Sequence, residues 1–275
     1  MRAPDWFRRA NAIVGGVLVG AVVTLALVAQ VYTPHDPLAL DFAARLAPPS
    51  ADHWLGTDQF GRDVMSRLMA AASVSATVST ATVALALALG VLIGSVSGYY
   101  GGWLDRLIMT ATDAFMALPG LLLALGLMTV LGQTMWGVIL ALGLAYSPSV
   151  VRVVRSAVLS LREREYVEAS RAMGNSDAFT LLRHVIPNCI SPLTVLATAF
   201  FALALLAESA LSFLGLGVPP PYPSWGGMLS DARSFFALAP WLAVFPGLAI
   251  SAALLGVNLL GDALRDRFDP RMVVS

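Results

Sequence analysis

Six apolar stretches of about twenty residues each constrain this sequence more than any other feature. A helix needs about 20 apolar residues to cross a hydrocarbon core of about 30 Å. These stretches show no period-two alternation and are rich in Leu and Ala, which favours helices over the strands of a membrane barrel. They are Asn11–Val31, Val74–Val96, Leu107–Leu131, Trp136–Val154, Ile190–Leu214 and Leu238–Leu260. The sequence therefore predicts an all-α protein that lies in a bilayer.

Composition argues against other classes of protein. Hydrophobic residues make up 57% of the chain and charged residues only 12%, which leaves too little polar surface for a water-soluble fold of this size. The formal net charge is zero, so no basic field exists to attract nucleic acid.

The sequence contains seventeen arginines and no lysine. A phosphate-binding loop of the GxxxxGK[ST] type and a Schiff-base lysine are therefore excluded, and any nucleotide hydrolysis must occur in another protein. Cys189 is the only cysteine, which excludes an internal disulfide and a thiolate zinc cluster. Nucleophile, base and orienting group do not occur together, so we expect no enzyme, no catalytic residue and no cofactor in this chain.

Arginine placement predicts the orientation of the chain in the membrane. With the N-terminus inside, thirteen of the seventeen arginines fall in inner segments, and only Arg45, Arg62, Arg67 and Arg233 fall outside. This is the bias that the positive-inside rule describes. The first apolar stretch is too long for a signal-peptide core, so we expect a retained anchor, with both termini in the cytoplasm.

The two long outer segments, Tyr32–Ser73 and Gly215–Ala237, are dense in Pro, Gly, Asp and Trp, which predicts ordered turns that cap the outer mouth. Residues 63–72 carry apolar residues at helical spacing and form either a short interfacial helix or an extension of the second span. His35 and His53 lie near Asp36, Asp52 and Asp58 in sequence, but isolated histidines in Pro-rich loops are more often turn residues. We therefore expect no metal site.

The spans themselves carry further signals. Pro119, Pro148, Pro192 and Pro246 interrupt spans three to six, as is common in transporter bundles and in membrane helices generally.

Asp113 and Glu208 are carboxylates within spans, where a charge costs about 2.5–3.5 kcal/mol at the helix centre. Each either lines a translocation path or makes a hydrogen bond between helices.

The longest inner segment predicts two short helices. Tyr166, Ala169 and Met173 have helical spacing, and Gly174 can end that helix in a left-handed conformation. Ser176 can cap a second helix, which Pro187 ends. The pair either projects into the cytosol for a soluble partner to grip or lies on the surface without a partner.

Four motifs in order resemble the permease subunits of binding-protein-dependent ABC importers, in the C-type branch of dipeptide and oligopeptide importers. The match runs from about Pro34 to Arg271. Its elements are Glu168-Ala169-Ser170 with Gly174 and Ile186-Pro187, the run from His53 to Asp63 with Ser66-Arg67, the run from Ser212 to Gly217 with Ser224-Trp225-Gly226, and the run from Asn258 to Asp262 with Asp269-Pro270-Arg271.

This resemblance implies a six-helix type I importer permease in the bacterial inner membrane, with a cytoplasmic coupling helix. The expected contact with the ATPase comprises Tyr166, Glu168, Ala169, Ser170, Arg171, Met173 and Gly174. The implied partners are a homologous second permease, two cytoplasmic ATPase subunits that bind ATP and Mg, and an extracytoplasmic substrate-binding protein. The implied cargo is a di- or oligopeptide, with nickel or a nickel chelate as the alternative and an ion-gradient-driven secondary transporter as a further one.

The expected organisation has four parts. Residues 1–31 form the tail and first span, and residues 32–73 the outer loop with its interfacial helix. Residues 74–261 form the five-helix core, and residues 262–275 form the cytoplasmic tail. The core includes a cytoplasmic loop at 155–189, called the EAA loop because its Glu168-Ala169-Ser170 resembles the EAA signature of the family.

Overall fold

The computed structural model describes residues 5–268, and within them the regular structure is helical apart from an isolated bridge between Thr57 and Asp63. The long helices are α1 (Asp5–Val28), α2 (Val64–Tyr100), α3 (Gly102–Met116), α4 (Gly120–Leu131) and α5 (Met135–Leu161), followed later by α8 (Ile190–Phe213) and α10 (Trp241–Phe268). The short helices are α6 (Glu165–Ala172), α7 (Asp177–Thr180) and α9 (Trp225–Ala232). The motif residues 269–271 lie outside the described part of the chain.

Five of these helices, α1, α2, α5, α8 and α10, are long and apolar enough to cross a membrane. The predicted span Leu107–Leu131 is not one straight helix, because α3 and α4 meet at an angle of 92°. Pro119 lies at this bend and precedes the first turn of α4, where a proline is tolerated because no helical hydrogen bond is lost. Counted as one broken span, the pair brings the total in the described chain to six. Pro148 and Pro246 lie inside continuous helices.

The connections gather at two ends of the bundle. Residues 32–63 and 214–240 lie at one end, called the loop end, and residues 162–189, called the α6–α7 segment, lie at the other. At the loop end, residues 64–72 belong to the single 37-residue helix α2. The structure therefore shows the helical extension of the second span in place of a separate interfacial helix.

The parallel pair of α2 and α5 forms the centre of the bundle. Gly90, Gly94 and Gly98 lie four residues apart on α2 and face α5. A Cβ atom at Gly90 would lie 2.3 Å from the Val150 side chain. A Cβ atom at Gly94 would lie 2.6 Å from the Val151 carbonyl oxygen, and one at Gly98 would lie 2.8 Å from the Arg155 carbonyl oxygen. Small residues at this spacing let two membrane helices approach at backbone distance.

We expect Gly94→Ala to lower the midpoint of thermal unfolding in detergent. The added methyl group would press on the backbone of α5, and overpacking of this kind costs about 1–3 kcal/mol. Gly20→Ala is the matched control, since that helical glycine has open space around it and should leave the midpoint unchanged or slightly raised. Equal midpoints for the two variants would contradict a close α2–α5 contact.

Candidate functional site

The α6–α7 segment is built as two capped helices joined by a tight turn. Gly174 follows α6 with φ +81°, a left-handed conformation that glycine adopts without strain. The Ser176 hydroxyl accepts a hydrogen bond from the Phe179 backbone N–H and caps α7. Beyond α7 the chain continues through a π-helical turn and a 3-10 turn directly into α8. Pro187 lies within this continuous path and does not end it.

The buried face of α6 differs from the predicted apolar face. Val167 and Ser170 are buried, and the Ser170 hydroxyl lies 2.9 Å from the Thr180 hydroxyl. The Asn175 amide also donates to Ser170, at 3.2 Å. Ser170 therefore holds α6 against α7 within the chain.

The predicted apolar residues lie on the exposed surface instead. Tyr166 is 41% exposed and Met173 is 74% exposed, and Phe179 and Leu182 add exposed apolar area from the second part of the segment. Glu168 and Ala169 share this surface with Gly174. The exposed side chains of Tyr166, Glu168, Ala169, Met173, Phe179 and Leu182 are called the coupling surface below. Exposed apolar side chains grouped in one short segment suit contact with a partner.

The α6–α7 segment is held to the end of α2 by side-chain contacts. The Tyr99 hydroxyl donates to Asp177 at 2.9 Å and accepts from Arg171 at 3.2 Å. The Arg171 guanidinium also lies 4.9 Å from the centre of the Tyr99 ring, a distance at which cation–π attraction operates. Arg171 thus binds its own chain at this point. Sequence reasoning did not connect Tyr99 with Asp177, because they lie 78 residues apart.

Asp113 is paired with an arginine that the sequence analysis did not connect to it. The Asp113 carboxylate on α3 accepts a hydrogen bond from Arg152 on α5 at 2.6 Å. Both side chains are largely exposed, at 61% for Asp113 and 51% for Arg152. Closer to the α6–α7 segment, the Arg155 guanidinium donates two hydrogen bonds to the Asp105 carboxylate, at 2.5 and 2.6 Å. Two ion pairs therefore link α3 to α5.

Glu208 occupies a contrasting environment, with no exposed surface. Its carboxyl oxygens lie 3.1 Å from the Ser75 hydroxyl of α2 and 2.8 Å from the Ser212 hydroxyl of α8. Of the two alternatives for this residue, the hydrogen bond between helices is the one present in the structure. The two intramembrane carboxylates thus have different surroundings, one enclosed and one open.

The remaining sequence motifs meet at the loop end. The buried Asp58 carboxylate accepts from Arg62 at 2.7 Å and lies 3.4 Å from Arg67. Arg67 also reaches Asp231 of α9 at 3.5 Å, and the buried Trp225 ring donates to the Leu68 carbonyl oxygen at 3.1 Å. The two predicted outer segments are therefore ordered and tied to α2.

His35 and His53 are not separate turn residues, because both rings approach Asp63. Asp63 caps α2 through its hydrogen bond from the Ser66 N–H. Burial raises the pKa of this carboxyl group, but the hydrogen bonds from Ser66 and His53 and the charge of His35 outweigh burial and lower it. Of the three aspartates near these histidines in sequence, Asp36 and Asp52 are exposed, and Asp58 is buried and paired with Arg62.

Comparison with known protein families identifies the family to which the chain belongs. Residues 90–274 match the family described as binding-protein-dependent transport system inner membrane component. This region contains α3 to α10, including the coupling surface and both intramembrane carboxylates.

Several relatives are similar over nearly the full chain. The dipeptide transport system permease protein DppC of Alkalihalophilus pseudofirmus is 41% identical over 95% of this chain and 86% of its own length. A putative peptide transport system permease of Brucella suis is 43% identical over 98% of this chain and 90% of its own. The glutathione transport system permease protein GsiD of Pectobacterium atrosepticum is 37% identical over 97% and 89%. This chain belongs to the binding-protein-dependent inner membrane component family, and it is a multi-pass permease subunit of an ABC importer.

Proposed function

We propose that this chain forms half of a translocation pathway for di- or oligopeptides and is driven through its coupling surface by a separate ATPase. The ATPase subunits would bind ATP and Mg, a homologous second permease would complete the path, and an extracytoplasmic binding protein would deliver the peptide. The termini and the α6–α7 segment would face the cytoplasm, as the arginine distribution favours.

Peptide cargo is favoured by the names of the relatives, which specify dipeptide, peptide and glutathione transport. The nickel alternative has no such support among these relatives. A secondary transporter is also disfavoured, because the family is defined by a binding-protein-dependent system.

The coupling surface is the observation that carries the proposal. Burial of Val167 and the Ser170–Thr180 contact give the segment a fixed shape, and exposure of Tyr166 and Met173 gives it apolar area for a partner. Changing a conformational equilibrium from 1:99 to 99:1 requires about 5.5 kcal/mol of differential binding. A chain without lysine cannot obtain this energy from a phosphate-binding loop of its own, so the energy would reach it through this contact.

The Asp113–Arg152 pair supports a path along α3 and α5. At 1.5 Å per residue, Asp113 lies about 16 Å along α3 from Gly102, within the third predicted span. Exposed charges within a span are expensive in lipid and are found facing a bundle interior or a water-filled cavity. We therefore assign this surface to the pathway, enclosed by the second permease.

We expect Gly174→Val to abolish uptake in vesicles while the complex still assembles and hydrolyses ATP. A β-branched residue in the left-handed conformation costs about 1–2 kcal/mol and would change the angle between α6 and α7. Gly132→Val is the matched control, since Gly132 has the same φ of +81° and open space around it, but lies at the loop end. Normal uptake by the Gly174 variant would contradict the coupling role. Uptake that a proton uncoupler stops while ATP is present would favour the secondary transporter.

Single-cysteine labelling would test both orientation and coverage by a partner. Cys189 is buried, and burial raises the pKa of its thiol, so Cys189→Ser provides a background without cysteine. We expect Met173→Cys to react with an impermeant maleimide only from the cytoplasmic side, and to be protected when the ATPase is present. Trp54→Cys, which lies at the loop end and is 61% exposed as tryptophan, should react only from the outside. Reversed sidedness would refute the proposed orientation.

Asp113→Asn should raise the KM for peptide uptake roughly tenfold, equivalent to about 1.4 kcal/mol, if the carboxylate meets the peptide amino terminus in the path. The rise should be much smaller for N-acetylated peptides, which carry no such charge. Asp52→Asn, at an exposed loop-end position, should leave both KM values unchanged. An equal effect of Asp113→Asn on free and acetylated peptides would show a structural role only.

A further inference from the structure

Three side chains at the loop end converge on one point. The His53 Nδ1 atom lies 2.9 Å from Asp63 Oδ1, and the His35 Nδ1 atom lies 3.8 Å from Asp63 Oδ2. One ligand atom from each of the three residues can be chosen so that all lie within 4.8 Å of one another. The two imidazole rings are 4.7 Å apart between centroids. Neither the coupling surface nor the proposed pathway uses these residues.

We propose that His35, His53 and Asp63 form a binding site for one Zn²⁺ ion or a similar borderline divalent cation. Tetrahedral zinc with bonds of about 2.0–2.1 Å places neighbouring ligand atoms about 3.4 Å apart. The nitrogen-to-oxygen distances, 2.9 Å to Asp63 Oδ1 and 3.8 Å to Asp63 Oδ2, lie on either side of this value, and the three ligand atoms lie within 4.8 Å of one another. Rotation of the imidazole rings and of the carboxylate would bring these atoms to the zinc spacing, with water as the fourth ligand.

The surroundings of the cluster suit a metal site. Ser66 donates its N–H and hydroxyl to Asp63 Oδ2 at 2.8 and 2.7 Å, and its hydroxyl accepts from the His35 backbone N–H at 2.9 Å. One residue thus orients two of the three ligands, as outer-shell partners do in metal sites. The Asp63 side chain is only 2% exposed and provides a fixed anchor, whereas the His35 side chain is 44% exposed and gives an ion access from solvent.

The ligand types determine which cation the site would prefer. Two imidazoles and one carboxylate suit Zn²⁺ and its transition-metal neighbours, whereas Mg²⁺ and Ca²⁺ prefer oxygen ligands. The three ligands come from separate parts of the loop that ends at α2. A bound ion would therefore fix the course of the loop against the first turn of α2 and make the loop end more rigid.

Zinc titration of the assembled complex after chelator treatment would test the site. We expect calorimetry to show one Zn²⁺ bound per copy of this chain in the unaltered complex, and at least a tenfold loss of affinity at that site in His35→Gln and in His53→Gln. At position 53 glutamine can keep the hydrogen bond to Asp63, and at both positions it is a poor zinc ligand. His184→Gln, in the α6–α7 segment, is the matched histidine control and should bind zinc normally. Millimolar Mg²⁺ should not compete.

Hydrogen exchange gives a second readout that does not depend on transport. Zinc should slow exchange of backbone amides in residues 34–63 of the unaltered chain and leave the His35→Gln chain unchanged. The His35 side chain is partly exposed and its backbone keeps the bond to Ser66, so this variant should assemble normally, which gel filtration would verify. The same zinc stoichiometry and affinity in the unaltered complex and both histidine variants, or no binding at micromolar zinc, would overturn the proposal.

Discussion

The close contact between α2 and α5 is the constraint on which the rest of the structure depends. Glycines on α2 bring the two backbones together, so the ends of α2 have fixed positions relative to α5. The first turn of α2 carries Arg67 and contacts Asp58 and Asp231 at the loop end. Its last turn carries Tyr99, which holds the α6–α7 segment. A single helix of 37 residues therefore connects the two ends of the molecule rigidly.

Under the proposed function, this arrangement would let the small α6–α7 segment act on the whole bundle. The α6–α7 segment runs without a flexible linker into α8, through the turns at residues 181–189. Its other side is fastened to α2 through Arg171 and Tyr99. A partner that moved the coupling surface would therefore displace α2 and α8 together, and these helices share the buried Glu208 contact. Packed elements of this kind change between discrete arrangements more readily than they deform continuously.

The sequence predicted the fold class, most of the spans and the caps at Gly174 and Ser176, because hydrophobic length and turn chemistry are local signals. It did not predict the 92° break between α3 and α4, since a proline in a membrane helix does not by itself distinguish a kink from a break. Ser170 was expected in the contact with the ATPase but is buried against Thr180, because periodicity cannot show which side of a short helix packs within its own chain. The pairings of Asp113 with Arg152 and of His35 with Asp63 depend on the tertiary structure, which no local pattern encodes.

The two carboxylates within the spans, Glu208 and Asp113, show why these tertiary contacts matter for function. Each would be costly as an isolated charge in lipid, and the chain compensates for that cost in different ways. The Glu208 carboxyl group accepts hydrogen bonds from serine hydroxyls of α2 and α8, so it is hydrogen-bonded within the chain. Asp113 is paired with Arg152, yet more than half of each side chain remains open to the surroundings. An ion pair left this exposed needs either water or a second protein surface, and the proposed pathway between two permease subunits would provide both.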